Sequence, residues 1–552
     1  MALATILYTV SAIAAGTAFF YVKALLQNYL IARKLGIPLI IIPIDHQNPF
    51  WTLLDRPTLR FLKRYFPFIR HTNLARYNYR GWEVHDRYRT HQELGGIFGV
   101  VTPGRNWLYL GDADALSDLF KRGRDFPRCT ELTAVLDVFG TNISTVSGDK
   151  WKAQRKLIST CFTEQSNEVV WSESIHLAED MVEYWNRTNP VKTVAPDTRT
   201  LTLSVLSRAG FGKSFKFEGH TEKKATDQSM TYKESLQTIL ENCILIMAFG
   251  PKTLHKLKGY SKLFAKCSDA CDSFFKYMSS VYEAEKKAAA DSSASSSLND
   301  YNLMAQLVRA SQAPDEVNGL TEQEIYGNMF VINFAGHDTT AHSFCFAIYF
   351  LAAHPEVQDW VADELHQVLG PQSNQNDWNY HRDFPRLKRT LAVLYETLRL
   401  YTPVPVNKWT DGQTQVLKVE GKAVTIPPKT MIIPSYASVQ TEPKWWGDDS
   451  LEFRPQRWID SNGDFIPPKK GTFIGWSEGA RDCPGKKFSQ VEFVATLAVL
   501  LRDWTVEPVP LSEKESPAEA RKRVLDVIES STPVLLLQMN NPERTPLVWK
   551  RR

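Results

Sequence analysis

The sequence predicts a mainly helical protein with small β-sheets. Residues 165–285 show helical periodicity with few turn signals. Residues 321–324 (Thr-Glu-Gln-Glu) form a capping box, and the apolar helix that it starts is predicted to end near Ala353, before Pro355. Residues 413–428 instead alternate polar and apolar side chains around a turn at Gly421, which indicates β-strands.

The composition is that of an ordinary globular protein. The 552 residues include 65 basic and 61 acidic side chains, which are interspersed and leave a net charge of +4. Because no concentrated basic block occurs, nothing indicates binding to nucleic acid. The seven cysteines are too few and too scattered for a disulfide framework, and their odd number favours a reducing compartment.

The first 22 residues carry no charged side chain and are long enough to span a bilayer. A cleaved signal peptide is the alternative, but basic residues follow this run at Lys23, Arg33 and Lys34 and none precedes it. The sequence therefore predicts an uncleaved single-pass anchor with the remaining chain in the cytoplasm. The predicted division is a transmembrane anchor at 1–22, a linker or interfacial segment at 23–50 and a catalytic domain at 51–552.

Two further segments are predicted from local composition. The apolar residues 35–44 are too short and too interrupted by proline to span a membrane, so they either rest in a membrane interface or form the first strand. Residues 286–297 are low in complexity and predict a surface linker.

A single cysteine lies in a glycine-containing loop near the C-terminus. Residues 476–485 read Trp-Ser-Glu-Gly-Ala-Arg-Asp-Cys-Pro-Gly and precede an apolar helix predicted over 488–501. A helix N-terminus and the nearby Arg481 favour negative charge, so the thiol of Cys483 is biased towards thiolate. A buried inert cysteine is the alternative, but the Gly-x-Arg-x-Cys-x-Gly spacing favours a metal ligand.

Three helical patterns stand out elsewhere in the chain. Trp151 and Arg155 are four residues apart and share a helical face, where they can address one ligand together. A surface helix with a half-buried Trp is the alternative, and the pattern alone favours it. Residues 335–340 (Ala-Gly-His-Asp-Thr-Thr) place a glycine, an acid and two alcohols in mid-helix, which predicts a local bulge. Glu396 and Arg399 are three residues apart on another helix and form a pair of opposite charges.

The loop resembles the heme-binding loop of cytochrome P-450 monooxygenases, with Trp476 where that family usually has Phe. The mid-helix acid–alcohol pair, the Trp-x-x-x-Arg helix and the Glu-x-x-Arg pair followed by a Phe-x-Pro-x-Arg stretch at 453–457 are similar to further family patterns. The resemblance covers the chain from about residue 151 onwards. It implies the P-450 fold, preceded here by the predicted anchor.

The resemblance also implies roles for individual residues. Cys483 would be the axial ligand of a heme b iron, and Asp338 and Thr339 would deliver protons during oxygen activation. The other implied residues are the heme contacts Trp151, Arg155, Lys408, Trp476 and Arg481, the structural network Glu396, Arg399 and Arg457, and the substrate contacts Phe330, Phe334, Ala335, Val404 and Val406.

The implied enzyme inserts one oxygen atom from O2 into a lipophilic small molecule. No flavin or nicotinamide fingerprint occurs in the sequence, so its electrons would come from a separate NADPH–cytochrome P-450 reductase. The predicted location is the endoplasmic reticulum membrane, in contact with lipid, and the style of the chain resembles fungal members of secondary metabolism. The alternatives are an O2-independent heme-thiolate isomerase or dehydratase and a non-catalytic membrane protein that binds heme or sterol.

Overall fold

The computed structural model describes residues 2–46, 48–219, 230–290, 302–311, 319–371, 374–533 and 535–552. The described α-helices are α1 (Ala2–Arg33), α2 (Pro49–Tyr65), α3 (Asn73–Tyr77), α4 (Trp82–Asp86), α5 (Arg89–Leu94), α6 (Ala113–Lys121), α7 (Thr130–Thr133), α8 (Gly148–Ser159), α9 (Glu164–Arg187), α10 (Val194–Phe211), α11 (Tyr232–Glu241), α12 (Cys243–Leu257), α13 (Lys262–Ala290), α14 (Leu303–Ser311), α15 (Glu322–Ala353), α16 (Pro355–Leu369), α17 (Tyr380–Asp383), α18 (Lys388–Leu400), α19 (Tyr436–Val439), α20 (Pro443–Trp446), α21 (Lys486–Arg502) and α22 (Pro517–Glu529). The described strands are β1 (Leu39–Ile41), β2 (Ile97–Val101), β3 (Asn106–Leu110), β4 (Lys408–Trp409), β5 (Gln415–Val419), β6 (Lys422–Ile426), β7 (Met431–Pro434), β8 (Trp504–Pro508), β9 (Thr532–Pro533), β10 (Leu537–Gln538) and β11 (Leu547–Arg551). The prediction of a mainly helical fold with small sheets is confirmed.

The chain divides into two units that interleave along the sequence. The first unit comprises residues 1–129, 399–452 and 468–482, and the second comprises residues 130–398, 453–467 and 483–552. Most of the β-structure belongs to the first unit, and most of the long helices belong to the second.

The first unit is built on a five-stranded sheet with the order β1-β2-β3-β7-β4. β1 pairs in parallel with β2, so the apolar segment at 35–44 contributes a strand, which is one of its two predicted alternatives. The strands predicted within 413–428 form the hairpin β5–β6. Its turn places Glu420 and Gly421 at φ values of 49° and 83°, the left-handed region that two-residue hairpin turns require.

The prediction of a membrane anchor at the N-terminus is wrong. Among the described residues, no helix is long and apolar enough to cross a membrane, and this finding also overturns the predicted single-pass location in the endoplasmic reticulum. The helix does not end with the apolar run near residue 22, because α1 continues through Lys23 to Arg33. Its last turns pack on the sheet: the Asn28 side chain donates a 2.8 Å hydrogen bond to the Thr102 carbonyl, and Ala32 is buried.

The second unit contains the long helix α15. Thr321 caps its first turn, and Glu324 completes the predicted capping box by bonding back to the Thr321 amide at 3.0 Å. The helix ends at Ala353, as the sequence predicts. The predicted bulge is not found within residues 322–353, which form one continuous helix, because the Thr339 and Thr340 hydroxyls donate to carbonyls one turn earlier without interrupting the backbone.

The predicted linker at 286–297 begins as helix. α13 continues through Lys286 to Ala290, and residues 291–297 lie outside the described residues. Alanine and lysine favour helix, so this part of the low-complexity stretch extends the preceding element.

Glu492 is a fully buried acid on α21, which packs parallel to α9 in the second unit. Lys487 of α21 lies near Glu164 of α9, and Arg502 near Glu179, so the two helices run in the same direction. Within the described chain, neither carboxylate oxygen of Glu492 meets a hydrogen-bond partner. Burial therefore raises the pKa of Glu492 well above its usual value, and the folded protein holds this side chain protonated.

This raised pKa predicts that Glu492→Met stabilises the protein more at pH 8 than at pH 5. The folded chain keeps the proton while the unfolded chain loses it above about pH 4.3, so the stability contributed by protonated Glu492 declines as pH rises towards the folded pKa. Replacing the acid with methionine removes this loss. We expect the stability gain at pH 8 to exceed that at pH 5, measured as the free energy of unfolding in urea.

The matched control is Glu529→Met, which removes the same charge from an exposed position on α22. The control should change stability little and equally at both pH values. A Glu492→Met variant that behaves like this control would contradict the buried, protonated state.

Candidate active site

Cys483 differs from the other six cysteines in its exposure. All seven lie in the described chain; Cys483 is exposed, the others are buried, and none forms a disulfide. A short 3-10 turn at Gly479–Arg481 precedes it, and α21 begins at Lys486 directly after it. Free cysteines are usually buried, so a thiol held in the open at the start of a buried helix is typical of a ligand position.

The two glycines of the loop, Gly479 and Gly485, differ in whether the backbone there could accept another residue. Gly479 has φ +75°, and a Cβ added there would lie 2.4 Å from the Phe120 carbonyl oxygen. Gly485 has φ −85°, and a Cβ there would make ordinary contacts with the Phe162 ring at 3.7 Å and the Cys483 sulfur at 3.9 Å. A tight turn therefore requires glycine at 479 only.

Gly479→Ala is expected to destabilise the heme-loaded protein, whereas Gly485→Ala should leave it near wild type. The left-handed backbone alone costs a non-glycine residue roughly 1–3 kcal/mol, and the clash with the Phe120 carbonyl adds to this. Thermal unfolding of both variants checks the prediction, with Gly485→Ala as the matched control. Equal melting temperatures for the two variants would show that the turn is not constrained as described.

Within the second unit, α15 packs against the helix that follows Cys483. The rings of Phe344 on α15 and Phe493 on α21 stack with centroids 4.8 Å apart. On α15, where most residues are buried, Ala335 is exposed and Thr339, one turn further on, is half-buried. The Thr339 hydroxyl donates to the Ala335 carbonyl at 2.7 Å. This face of the helix therefore borders open space, where a ligand can contact it.

Asp338 forms an ion pair that its sequence neighbourhood does not indicate. Arg199 of α10 donates from Nε to the Asp338 carboxylate at 2.9 Å, and its Nη2 lies 3.2 Å from Nε2 of His342. Burial pushes the Asp338 pKa up, but His337, His342 and Arg199 outweigh burial and leave it below its usual value. Burial lowers the pKa of both histidines, that of His342 to about 4, so at neutral pH Arg199 is the cation that keeps Asp338 ionised.

Arg199 and His342 are the site residues that sequence reasoning missed. His342 follows Asp338 by one helical turn on α15, and this spacing was a usable signal. Arg199 lies 139 residues earlier in the chain and carries no motif, so only the packing of α10 on α15 reveals it.

The predicted heme contacts Trp151 and Arg155 lie on α8, half-buried, in the second unit. Phe162, just beyond the end of this helix, packs edge-on against Phe488 of α21 with centroids 6.3 Å apart. The same ring borders Gly485. The packing thus fixes the C-terminal end of α8 beside the loop that carries Cys483.

In the first unit, three cations lie close enough to perturb one another. Lys408 is buried on β4, and burial together with the charges of Arg128 and Arg481 lowers its pKa to about 8. Burial and Arg128 likewise lower the pKa of Arg481 to about 10. Mutual repulsion of this kind is relieved by an anion, so the cluster fits a ligand with carboxylate groups such as the heme propionates. Trp476 is half-buried on the same loop, with its ring 6.0 Å from that of Phe473.

The predicted Glu396 network is buried. In the second unit, the Glu396 carboxylate accepts hydrogen bonds from the Arg454 amide at 2.9 Å, Arg457 Nε at 3.0 Å and Trp458 Nε1 at 2.9 Å. In the first unit, Arg399 donates to the carbonyls of Gln440, Ser450 and Glu452 at 2.8, 2.6 and 3.1 Å. An amide, a guanidinium and an indole group thus bind the Glu396 carboxylate, and backbone carbonyls accept from Arg399.

The five predicted substrate contacts differ in accessibility. Phe330 is 1% exposed and packs against Phe139 at 5.3 Å, and Phe334 is 8% exposed and packs against Phe330. Both rings lie in the core of the second unit, and their contact with substrate stays a prediction. Ala335 is exposed, as is Val404 in the first unit, and Val406 there is half-buried.

Cys483 is exposed shortly before a buried helix, and that helix packs against a long helix with an acid–alcohol pair, an arrangement that fits a heme-thiolate enzyme. The chain belongs to the cytochrome P450 family, whose model matches residues 67–531. The family binds heme through a cysteine thiolate. Two features of this chain fit a heme. The thiol of Cys483 is exposed shortly before a helix, where it can bind iron, and the cluster of Lys408, Arg128 and Arg481 can bind the propionates.

Named relatives agree with this family. The chain is 26% identical to a cytochrome P450 monooxygenase of Arthrobotrys oligospora, over 94% of both chains. It is 27% identical to the cytochrome P450 monooxygenase of the phomenoic acid biosynthesis cluster of Leptosphaeria maculans, over 90% of this chain and 91% of that one. It is also 24% identical, over 74% of its length, to 37% of a self-sufficient cytochrome P450 monooxygenase of Phanerodontia chrysosporium. The predicted class of enzyme, a P450 monooxygenase, is thereby confirmed.

Proposed function

We propose that this chain uses a heme-thiolate site to insert one atom of O2 into a lipophilic small molecule. The reaction consumes O2, the substrate, two electrons and two protons, and releases the hydroxylated product and water. The observation that carries this proposal is the exposed Cys483, three residues before α21, and the packing of α21 against the helix that bears Asp338 and Thr339.

The residues that would hold the heme are Cys483 as the axial ligand and Trp151, Arg155, Lys408 and Arg481 at the propionates. A cysteine thiolate pushes electron density onto heme iron and so favours cleavage of the O–O bond. Lys408 and Arg481 gain from this contact, because a carboxylate offsets the repulsion that lowers the pKa of each.

Thr339 and Asp338 would supply the protons. The Thr339 hydroxyl is anchored on the Ala335 carbonyl and turns towards the open face of α15. Asp338 stays ionised beside Arg199 and can accept a proton at its carboxylate and return it. Arg199 fixes the carboxylate and is a positioning residue.

Thr339→Ala is expected to release more hydrogen peroxide per NADPH while making less product. Without the hydroxyl, protons are no longer delivered from a fixed point, so electrons are lost to peroxide. Product and peroxide per NADPH, measured together, check this, with Thr340→Ala as control, because Thr340 is buried and bonds to Gly336. If Thr339→Ala forms as much product and peroxide per NADPH as the wild-type protein, Thr339 does not deliver protons.

We further propose a separate NADPH-dependent reductase as the electron donor and a lipophilic product of fungal secondary metabolism as the substrate class. The relative from the phomenoic acid cluster supports the second point. The intact pair Asp338–Thr339 supports an oxygen-dependent reaction over a rearrangement that needs no O2.

The test is product formation from a library of lipophilic compounds, with and without O2 and with and without added reductase. Compounds are preselected by the spectral shift that accompanies their binding. We expect product only when both O2 and reductase are present, with one oxygen atom of labelled O2 in the product. Product without either would favour an isomerase or dehydratase, and steady NADPH use without product would favour a binding protein.

A further inference from the structure

A strongly basic cavity lies in the first unit, in a part of the chain to which no function has been assigned above. Its volume is about 610 Å³, and its lining includes Arg56, Arg60, Lys63, Arg64, Arg70 and Tyr79. Arg56, Arg60 and Lys63 recur at helical spacing on α2, so one face of that helix brings them together. Arg70 comes from the short helical turn at Pro67–His71 and donates from Nε to the Lys63 carbonyl at 3.1 Å.

The positive charges of this cavity lack ion-pair partners within the described chain. None of its five basic side chains forms an ion pair with another residue of the described chain. The Asp55 carboxylate, whose charge acts on Arg56, accepts from the backbone amides of Arg56 and Arg80, at 2.5 and 3.0 Å. Among the described residues, Nη2 of Arg56 is buried and meets no acceptor.

The pKa values of two of these cations are lowered, because burial and neighbouring positive charges disfavour the protonated forms. Burial lowers the pKa of Lys63, and the charge of Arg70 lowers it further. Burial also lowers the pKa of Arg56, where Arg60 adds repulsion and Asp55 and Tyr79 oppose it. Cations held together without partners favour a bound anion, because the anion replaces repulsion with charge-assisted hydrogen bonds.

The remaining lining groups identify the kind of anion. Burial raises the pKa of Tyr79 to about 12, so its hydroxyl stays protonated and can donate. The Tyr79 ring also lies under Arg56 and Lys63, at 5.8 and 5.9 Å, which orients both cations. Guanidinium groups, an ammonium and a phenol are all donors, and a phosphate offers several acceptor oxygens and up to two negative charges.

The size of the cavity separates a phosphate ester from a simple ion. A volume of about 610 Å³ lies within the range of about 300–1,000 Å³ that is typical of sites for organic ligands. Leu59 adds an apolar wall. A phosphate with an attached organic group therefore fits better than a bare anion.

We propose that Arg56, Arg60, Lys63, Arg64, Arg70 and Tyr79 form a binding site for a phosphate-ester anion. The ligand is either a soluble phosphorylated small molecule or the phosphate headgroup of a lipid. The site contains none of the residues assigned to heme or to proton delivery, so it stands independently of the proposed function. Binding to the folded state stabilises that state and makes the melting temperature rise with ligand concentration.

The test uses the full-length, heme-loaded protein and two probes. Glycerol 3-phosphate, a phosphate ester, represents the soluble source, and its binding is followed by calorimetry and by the melting temperature. Vesicles of phosphatidylcholine with and without phosphatidic acid represent the lipid source, and binding is followed by co-sedimentation. Saturable binding of glycerol 3-phosphate supports a soluble ligand, and binding only to vesicles with phosphatidic acid supports a headgroup.

A pair of triple variants distinguishes the site from general attraction to positive charge. The first variant combines Arg60→Gln, Lys63→Gln and Arg64→Gln. It should bind at least tenfold more weakly whichever probe the wild-type protein binds. The second variant combines Lys418→Gln, Lys422→Gln and Lys522→Gln, which remove the same charge from exposed positions. It should bind the same probe within twofold of the wild-type affinity. Unchanged heme absorption in both variants verifies the fold. Binding of neither probe, or equal weakening in both triple variants, would overturn the proposal.

Discussion

Cys483→Ala is expected to abolish NADPH-dependent product formation and to leave the protein without a thiolate-ligated heme. Loss of a supporting group near a metal costs roughly 10–100-fold in affinity or activity, and loss of the axial ligand should exceed this. No other cysteine can replace it without rearrangement, because the remaining six are buried. Heme content and turnover of the purified variant check the prediction.

The matched control for this variant is Cys267→Ala. Cys267 is buried within α13, so its loss tests whether removal of any thiol disturbs heme uptake. The control should retain heme and turnover. Heme binding and activity that survive in Cys483→Ala would show that the axial ligand lies elsewhere.

Asp338→Asn is expected to lower the rate of product formation at least tenfold while substrate still binds. Positioned acid–base groups typically contribute 10²–10⁴-fold. Asparagine keeps the size of the side chain and can still accept from Arg199, so the packing of α10 on α15 should survive. The rate constant is measured beside the spectral shift on substrate binding, with Asp526→Asn, an exposed change on α22, as control.

Substitution of Arg199 tests the role of Asp338 through its pKa. Because its charge helps to keep the Asp338 pKa low, Arg199→Gln should raise that pKa. The acid limb of the rate profile, where protonation of Asp338 stops turnover, should then move to higher pH. Arg199→Lys should restore much of the wild-type profile. A loss of rate with no shift of the limb would mean that Arg199 supports the fold alone.

Local patterns predicted those parts of the structure that local physics determines. Thr321 and Glu324 complete their capping box without help from distant residues, and the helix follows from it. Gly421 permits the left-handed turn of the β5–β6 hairpin in the same way. The loop before α21 belongs with these, because the chain order itself places Cys483 at a helix start.

Contacts between distant segments could not be read in this way. Arg199 reaches Asp338 because α10 packs on α15, and Arg128 joins Lys408 and Arg481 through the fold of the first unit. The N-terminal prediction failed for a related reason. The absence of charge in residues 1–22 predicts a separate helix there, whereas α1 continues through Lys23 and bonds to the sheet through Asn28.

The most direct measurement for the account is the absorption spectrum of the wild-type protein, reconstituted with heme, reduced and saturated with carbon monoxide. Thiolate ligation by Cys483 predicts the red-shifted Soret band that distinguishes a heme-thiolate protein, in an amount that matches the heme content. A band of the histidine-ligated type, or a protein that takes up no heme, would contradict the central claim.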